Sequence, residues 1–133
     1  MPPKKPSRPS RALKFEYVTS TVSMLKGDGI VVHVVNDSAT GESARVIIYQ
    51  NTGAGAVVAV DTGITAVAPT WQWGLGFTLP SSGEYWARIH VSSEFLIPKA
   101  SFERYRDSVW VPVVSYRPGD FAIFKLPVRK RIW

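Results

Sequence analysis

Apolar and polar residues alternate with a period of two along most of this chain, and no stretch carries the 3.6-residue period of a helix. The clearest run is Glu84-Tyr85-Trp86-Ala87-Arg88-Ile89-His90-Val91. There Tyr85, Ala87, Ile89 and Val91 point one way and Trp86, Arg88 and His90 the other, as in a half-buried antiparallel strand. The same pattern predicts strands over 13–19, 30–35, 44–49, 71–79, 95–105, 109–114 and 121–126, with Val46 and Ile48 as core residues of the third. Val57–Val60 and Ile64–Val67 flank Asp61-Thr62-Gly63, which reads as a hairpin with glycine at a positive-φ position. Gly74 and Gly76 mark a bulge or a place where backbone or ligand comes close. Pro98 gives its strand an edge character, because proline cannot donate to a ladder. About nine short strands separated by turns predict an all-β fold, an antiparallel β-sandwich, with a partly open β-barrel as the alternative.

Length and charge refine this. With 133 residues the chain fits one domain with a two-layer core. The net charge of +6 is unevenly placed. Lys4, Lys5, Arg8 and Arg11 lie in a proline-rich N-terminal stretch, residues 1–11, and Arg129, Lys130 and Arg131 lie in the last six residues, 128–133. Between them nine basic residues face ten acidic ones, so the body over 12–127 is close to neutral. The N-terminal stretch is expected to be disordered, since it cannot bury a core, and both tails suit a polyanion such as nucleic acid. No apolar core of a signal peptide follows the N-terminal charges, and no run has the length of a membrane span. The expectation is a soluble cytoplasmic protein with no membrane partner.

Candidate chemistry is sparse. Asp61-Thr62-Gly63 is the triplet of aspartic proteases, which pair two such loops so that two carboxylates share a proton. Ile64 follows it where that family has Ala or Ser, and a turn explains the same letters more simply. The chain has no cysteine, so a metal site would need both histidines, His33 and His90, with a carboxylate such as Glu84 or Glu94. Nothing in the spacing asks for this. The serines lie in ordinary turns, and no glycine-rich phosphate loop opens a helix. The expectation is a protein that is not an enzyme, with no metal and no cofactor.

Five tryptophans exceed what one core of this size usually hides. Trp71 and Trp73 are expected on one face of a strand, with at least one of them in the core. Trp86 lies outward beside Arg88 and His90 on the next. If those strands pair, an aromatic and cationic surface results, suited to bases, a sugar ring or another subunit. Arg104 and Arg106 share a face with Phe102 and are expected to continue a basic stripe from the tails.

Two resemblances follow from these residues. Gly83-Glu84-Tyr85-Trp86-Ala87-Arg88-Ile89 resembles the tyrosine-corner strand of immunoglobulin-like sandwiches, with Ala87 where an antibody domain has cysteine. The Asn36 loop, Ala44-Arg45-Val46-Ile47-Ile48-Tyr49, the proline-bearing strand from Val91-Ser92-Ser93 to Arg104, and Val113-Val114-Ser115-Tyr116 resemble the small β-sandwich of bacterial sensory-rhodopsin transducer proteins. That resemblance implies a soluble homo-oligomeric binding or signalling module. The chain departs from it in its basic tails, its tryptophan-rich middle and Arg117-Pro118-Gly119-Asp120, and no functional residue carries over. The expected function is a non-catalytic, self-associating binding module. A nucleic-acid or other polyanion binder, coat-like or chromosome-associated, is the alternative, and a carbohydrate-binding module is a third reading.

Overall fold

The computed structural model describes residues 12–126, so both basic tails lie outside it. The described chain forms two antiparallel sheets packed face to face. Its strands in chain order are β1 (Phe15–Val18), β2 (Val22–Met24), β3 (Gly29–Asn36), β4 (Glu42–Thr52), β5 (Gly55–Asp61), β6 (Thr65–Val67), β7 (Gln72–Thr78), β8 (Gly83–Val91), β9 (Leu96–Arg106), β10 (Val109–Tyr116) and β11 (Ala122–Lys125). A single turn of 3-10 helix, Pro118–Asp120, precedes β11. Sheet A has the order β11-β1-β8-β4-β5, with β2 also on β8 and β6 also on β4. Sheet B has the order β10-β9-β3-β7. The sandwich is as expected, and neither sheet closes into a barrel.

The core is the sum of the inward faces. Tyr85, Ala87, Ile89 and Val91 of β8 are buried, as are Ala44, Val46 and Ile48 of β4. They meet Ile30, Val32 and Val34 of β3 and Leu96, Ala100 and Phe102 of β9. Each large apolar side chain removed from water contributes about 1.5–3 kcal/mol, so this double row is the main stabilising term. The Tyr85 hydroxyl donates to the Ser81 carbonyl oxygen at 2.7 Å, closing the turn that launches β8.

Three local expectations are corrected. Val57–Val60 and Ile64–Val67 do not form a hairpin. Both pair with β4, β5 against Ile47–Thr52 and β6 against Glu42–Ala44, so they are one broken edge strand. Thr62 sits at the break. Its N–H donates to the Val46 carbonyl oxygen and its Oγ1 accepts the Val46 N–H, each at 3.0 Å. Gly63 does take a positive φ of 66° there. The opposite side of the sheet repeats the device at the break between β1 and β2. Thr19 N–H donates to the Ala87 carbonyl oxygen at 3.0 Å and Thr19 Oγ1 accepts the Ala87 N–H at 2.9 Å. A threonine thus replaces a missing ladder rung on each flank of the central β8–β4 pair.

The other two concern glycine and proline. The β3–β7 register runs unbroken through Gly74 and Gly76, so these glycines mark no bulge. The strand containing Pro98 is internal, between β10 and β3. Proline is accommodated because β10 pairs only from Ala100 onward, leaving Pro98 with a strand neighbour on one side, Val34.

Candidate functional site

The outward face of sheet A gathers Trp86, Arg88 and His90, because period-two alternation on β8 puts them opposite the core residues between them. Register then fixes their neighbours. Tyr49 of β4 stands across from Trp86, and Arg45 of β4 and Glu16 of β1 stand on either side of His90. The Tyr49 and Trp86 rings stack with centroids 4.3 Å apart and planes 14° apart. Arg88 lies over both, its Cζ 5.2 Å and 5.4 Å from the two centroids. Trp86 Nε1 donates to Asn51 Oδ1 at 3.0 Å, and Arg88 Nη1 donates to the Tyr49 hydroxyl at 3.3 Å.

Charge is balanced inside this cluster. One oxygen of Glu16, Oε1, faces both Arg88 Nε, in a close ion contact, and His90 Nε2 at 3.6 Å. Both nitrogens are buried and neither makes a well-aligned hydrogen bond among the described residues. Burial pushes the His90 pKa below its ordinary value. Glu16 opposes this shift, while Arg88 and Arg45 add to it, so the ring stays neutral at pH 7. On the neighbouring strands Arg45 holds Asp61 through two parallel bonds, Nε to Oδ1 at 2.9 Å and Nη2 to Oδ2 at 2.5 Å. That pairing, with the Gly63 N–H at 2.9 Å, lowers the Asp61 pKa to about 2. The aspartate of the Asp-Thr-Gly triplet is therefore a fully ionised partner of arginine, and its threonine is the rung substitute described above. The face is an interlocked layer of side chains whose hydrogen-bonding groups mostly satisfy one another.

The remaining predicted residues lie elsewhere. The strands bearing Trp73 and Trp86 do not pair, since β7 belongs to sheet B and β8 to sheet A. The expected joint surface of Trp71, Trp73, Trp86 and Arg88 is therefore not formed. Trp73 packs partly buried against the core, whereas Trp71 precedes β7 and is 67% exposed. Arg104 does not join a basic stripe. It is committed to buried Asp28, donating from Nη2 to Oδ2 at 2.9 Å and from Nε to Oδ1 at 3.1 Å. Burial alone would raise the Asp28 pKa, but these bonds and the Leu25 N–H bring it below the ordinary value. Arg106 is exposed at the tip of the β9–β10 hairpin. Lys4, Lys5, Arg8, Arg11, Arg129, Lys130 and Arg131 lie outside the described residues.

His33 and His90 sit on different sheets, so they cannot share a metal. No group of three or more metal-ligating side chains occurs among the described residues, and no helix of the described chain is long and apolar enough to cross a membrane. Sequence reasoning missed Tyr49, Asn51 and Glu16 as members of the cluster, because only the β1–β8–β4 register brings them together. It assigned no role to Trp110, which lies 47% exposed against Tyr105 on the β9–β10 hairpin.

No family model and no curated protein matches this chain. Among solved structures, the crystal structure of Thermotoga maritima 1070 is similar in fold. Its TM-score is 0.57 at 9% identity, over 80% of this chain and 92% of that one. At that identity the likeness speaks to the fold alone.

Proposed function

We propose that this protein is a non-catalytic β-sandwich binding module that self-associates through the β9–β10 hairpin. The observation that carries this reading is the concentration of exposed apolar side chains there. Val109, Val111 and Val113 are exposed on this hairpin, Val109 and Val111 on the side opposite to the exposed Tyr105 and the half-exposed Trp110, so the hairpin end is apolar on both of its faces. A group of this size at the end of a monomer marks a surface meant for a partner. A second copy suits it because the hairpin tip carries one charge of each sign, Arg106 and Asp107. A twofold contact sets each against its opposite. Contact is by side-chain packing, because Pro112 and the irregular register between Pro112 and Val114 interrupt backbone pairing on the outer edge of β10.

The outward face of sheet A supports the module reading in a different way. Arginine, two stacked rings and a shared carboxylate form a stiff polar layer around a neutral histidine, which serves a scaffold. Closure of the β8 turn by Tyr85 supports an immunoglobulin-like version of that scaffold. The test is the double variant Val111→Lys with Val113→Lys, examined by light scattering. Loss of the oligomer with unchanged far-ultraviolet circular dichroism supports the proposal. An oligomer that survives the charges contradicts it.

A further inference from the structure

The outward face of sheet B contains a groove whose shape is set by three glycines. Register aligns Gly76, Val31, Ser101 and Ser115 in one row across β7, β3, β9 and β10, flanked by the rows Thr78-Gly29-Glu103-Pro112 and Gly74-His33-Lys99. A Cβ placed on Gly29 would stand 3.3 Å from the Trp110 ring, and one on Gly74 would stand 3.2 Å from His33 Nδ1. The indole and the imidazole therefore lie close over bare backbone, with His33 Nδ1 held 2.7 Å from Gln72 Nε2. Between them a Cβ on Gly76 would meet nothing within 4 Å. A cavity of about 210 Å³ beside Trp110 and one of about 400 Å³ beside His33, Lys99 and Arg117 share Val31 and Glu103 as lining. They form one trough. The six residue steps from Tyr105 to Lys99 give it a length of roughly 20 Å at strand spacing.

The lining has a consistent chemistry. At one end the Trp110 ring offers a flat apolar surface. In the middle Glu103 accepts a hydrogen bond from Ser101 Oγ at 3.2 Å, and Ser115 Oγ lies 3.5 Å from Ser101 Oγ. These are groups that exchange hydrogen bonds with hydroxyls. At the other end Lys99 and Arg117 are exposed cations, with no ion pair among the described residues. A nucleic-acid strand would have to lay phosphates past the Glu103 carboxylate. A hydroxyl-rich chain would not.

We propose that this trough binds a short acidic oligosaccharide, one sugar ring stacked on Trp110 and a carboxylate or sulfate held by Lys99 and Arg117. This rests on the binding-module reading and shares Trp110 with the association hairpin, while Gly76, Lys99 and Arg117 lie apart from it. The test is calorimetric titration of the full chain with aldotriouronic acid and cellotriose 6-sulfate, each carrying a single anion so that Glu103 faces hydroxyls, with neutral cellotriose and an oligothymidylate as comparisons. At least one acidic sugar is expected to bind, and cellotriose more weakly. A Cβ at Gly76 meets open space and valine suits a strand, so Gly76→Val should abolish binding while thermal unfolding stays unchanged or rises. Lys99→Ala with Arg117→Ala should weaken the acidic sugar about tenfold or more and bring it to the level of cellotriose. No binding of either acidic sugar, full binding by Gly76→Val, or tighter binding of oligothymidylate would overturn the proposal. Loss of self-association with sugar binding intact would overturn only the association reading.

Discussion

Asn36 offers the sharpest test of how the loops of this sandwich are held. It is fully buried at the end of β3, and its Nδ2 donates to the carbonyl oxygens of Thr40 at 2.8 Å, Val67 at 3.0 Å and Ala68 at 3.2 Å. Its Oδ1 accepts from Ser38 N–H at 3.1 Å and Ser38 Oγ at 2.6 Å. One amide thus ties the β3–β4 loop to β6, while the Asn36 N–H holds the Trp71 carbonyl oxygen at 2.9 Å. Asn36→Asp keeps the acceptor and the shape but turns the donor into an oxygen facing three carbonyl oxygens. Each buried group left unpaired costs about 1–3 kcal/mol, and a buried uncompensated charge adds to this, so a loss of about 3–5 kcal/mol is expected at pH 7. For a chain of this size that lowers Tm by roughly 12–20 °C.

The sign of the pH dependence follows from the same geometry. Burial among carbonyl oxygens raises the folded pKa of an aspartate here above its unfolded value of about 3.9. The native variant then binds more protons than its unfolded chain, and its relative stability rises as the pH falls and the acid regains a donor. Urea unfolding followed by tryptophan fluorescence at pH 7 and pH 4.5 should show a smaller difference from wild type at the lower pH. A variant as stable as wild type at pH 7, or an equal difference at both pH values, would refute the reasoning.

Other consequences are more local. Tyr85→Phe removes the 2.7 Å bond to Ser81 while preserving the ring, and should cost about 1–2 kcal/mol in urea unfolding without changing the m-value. Ser108 sits at φ 65° beside Asp107 at φ 51° in the two-residue β9–β10 turn, so Ser108→Gly should raise stability by about 0.5–1 kcal/mol. His90 has a folded pKa below its unfolded value. Its contribution is therefore complete above pH 6.5 and declines as the pH falls through that point, a slope that His90→Gln should flatten. Asp61 acts lower, its contribution persisting above about pH 4 and fading as the pH falls toward 2, which Arg45→Ala should shift upward.

How much of this was legible in the sequence depends on range. Alternation is a local property, and it placed the buried residues of β8 and the outward Trp86, Arg88 and His90 correctly. Pairing is not local. Val57–Val60 and Ile64–Val67 have the letters of a hairpin, yet β4 is long enough to take both along one edge, and Thr62 supplies the rung between them. Trp73 and Trp86 look like neighbours in strands consecutive in the chain. The path crosses from one sheet to the other between them, through the turn that Tyr85 closes. Pro98 misled because a proline excludes a ladder neighbour only on its own stretch of strand, and β10 ends short of it. Gly74 was read as a bulge or a place for backbone or ligand, but the register is unbroken there and the group that comes nearest is the His33 ring, which no spacing rule indicates.

The reading of this chain as a self-associating module is tested most directly by sedimentation equilibrium of the full chain at micromolar concentration, with wild type beside Val111→Lys, Val113→Lys. The account predicts an assembled wild type and a double variant at the monomer mass of 14.7 kDa, both with the same strand content. A wild type that sediments as a monomer throughout that range would contradict it.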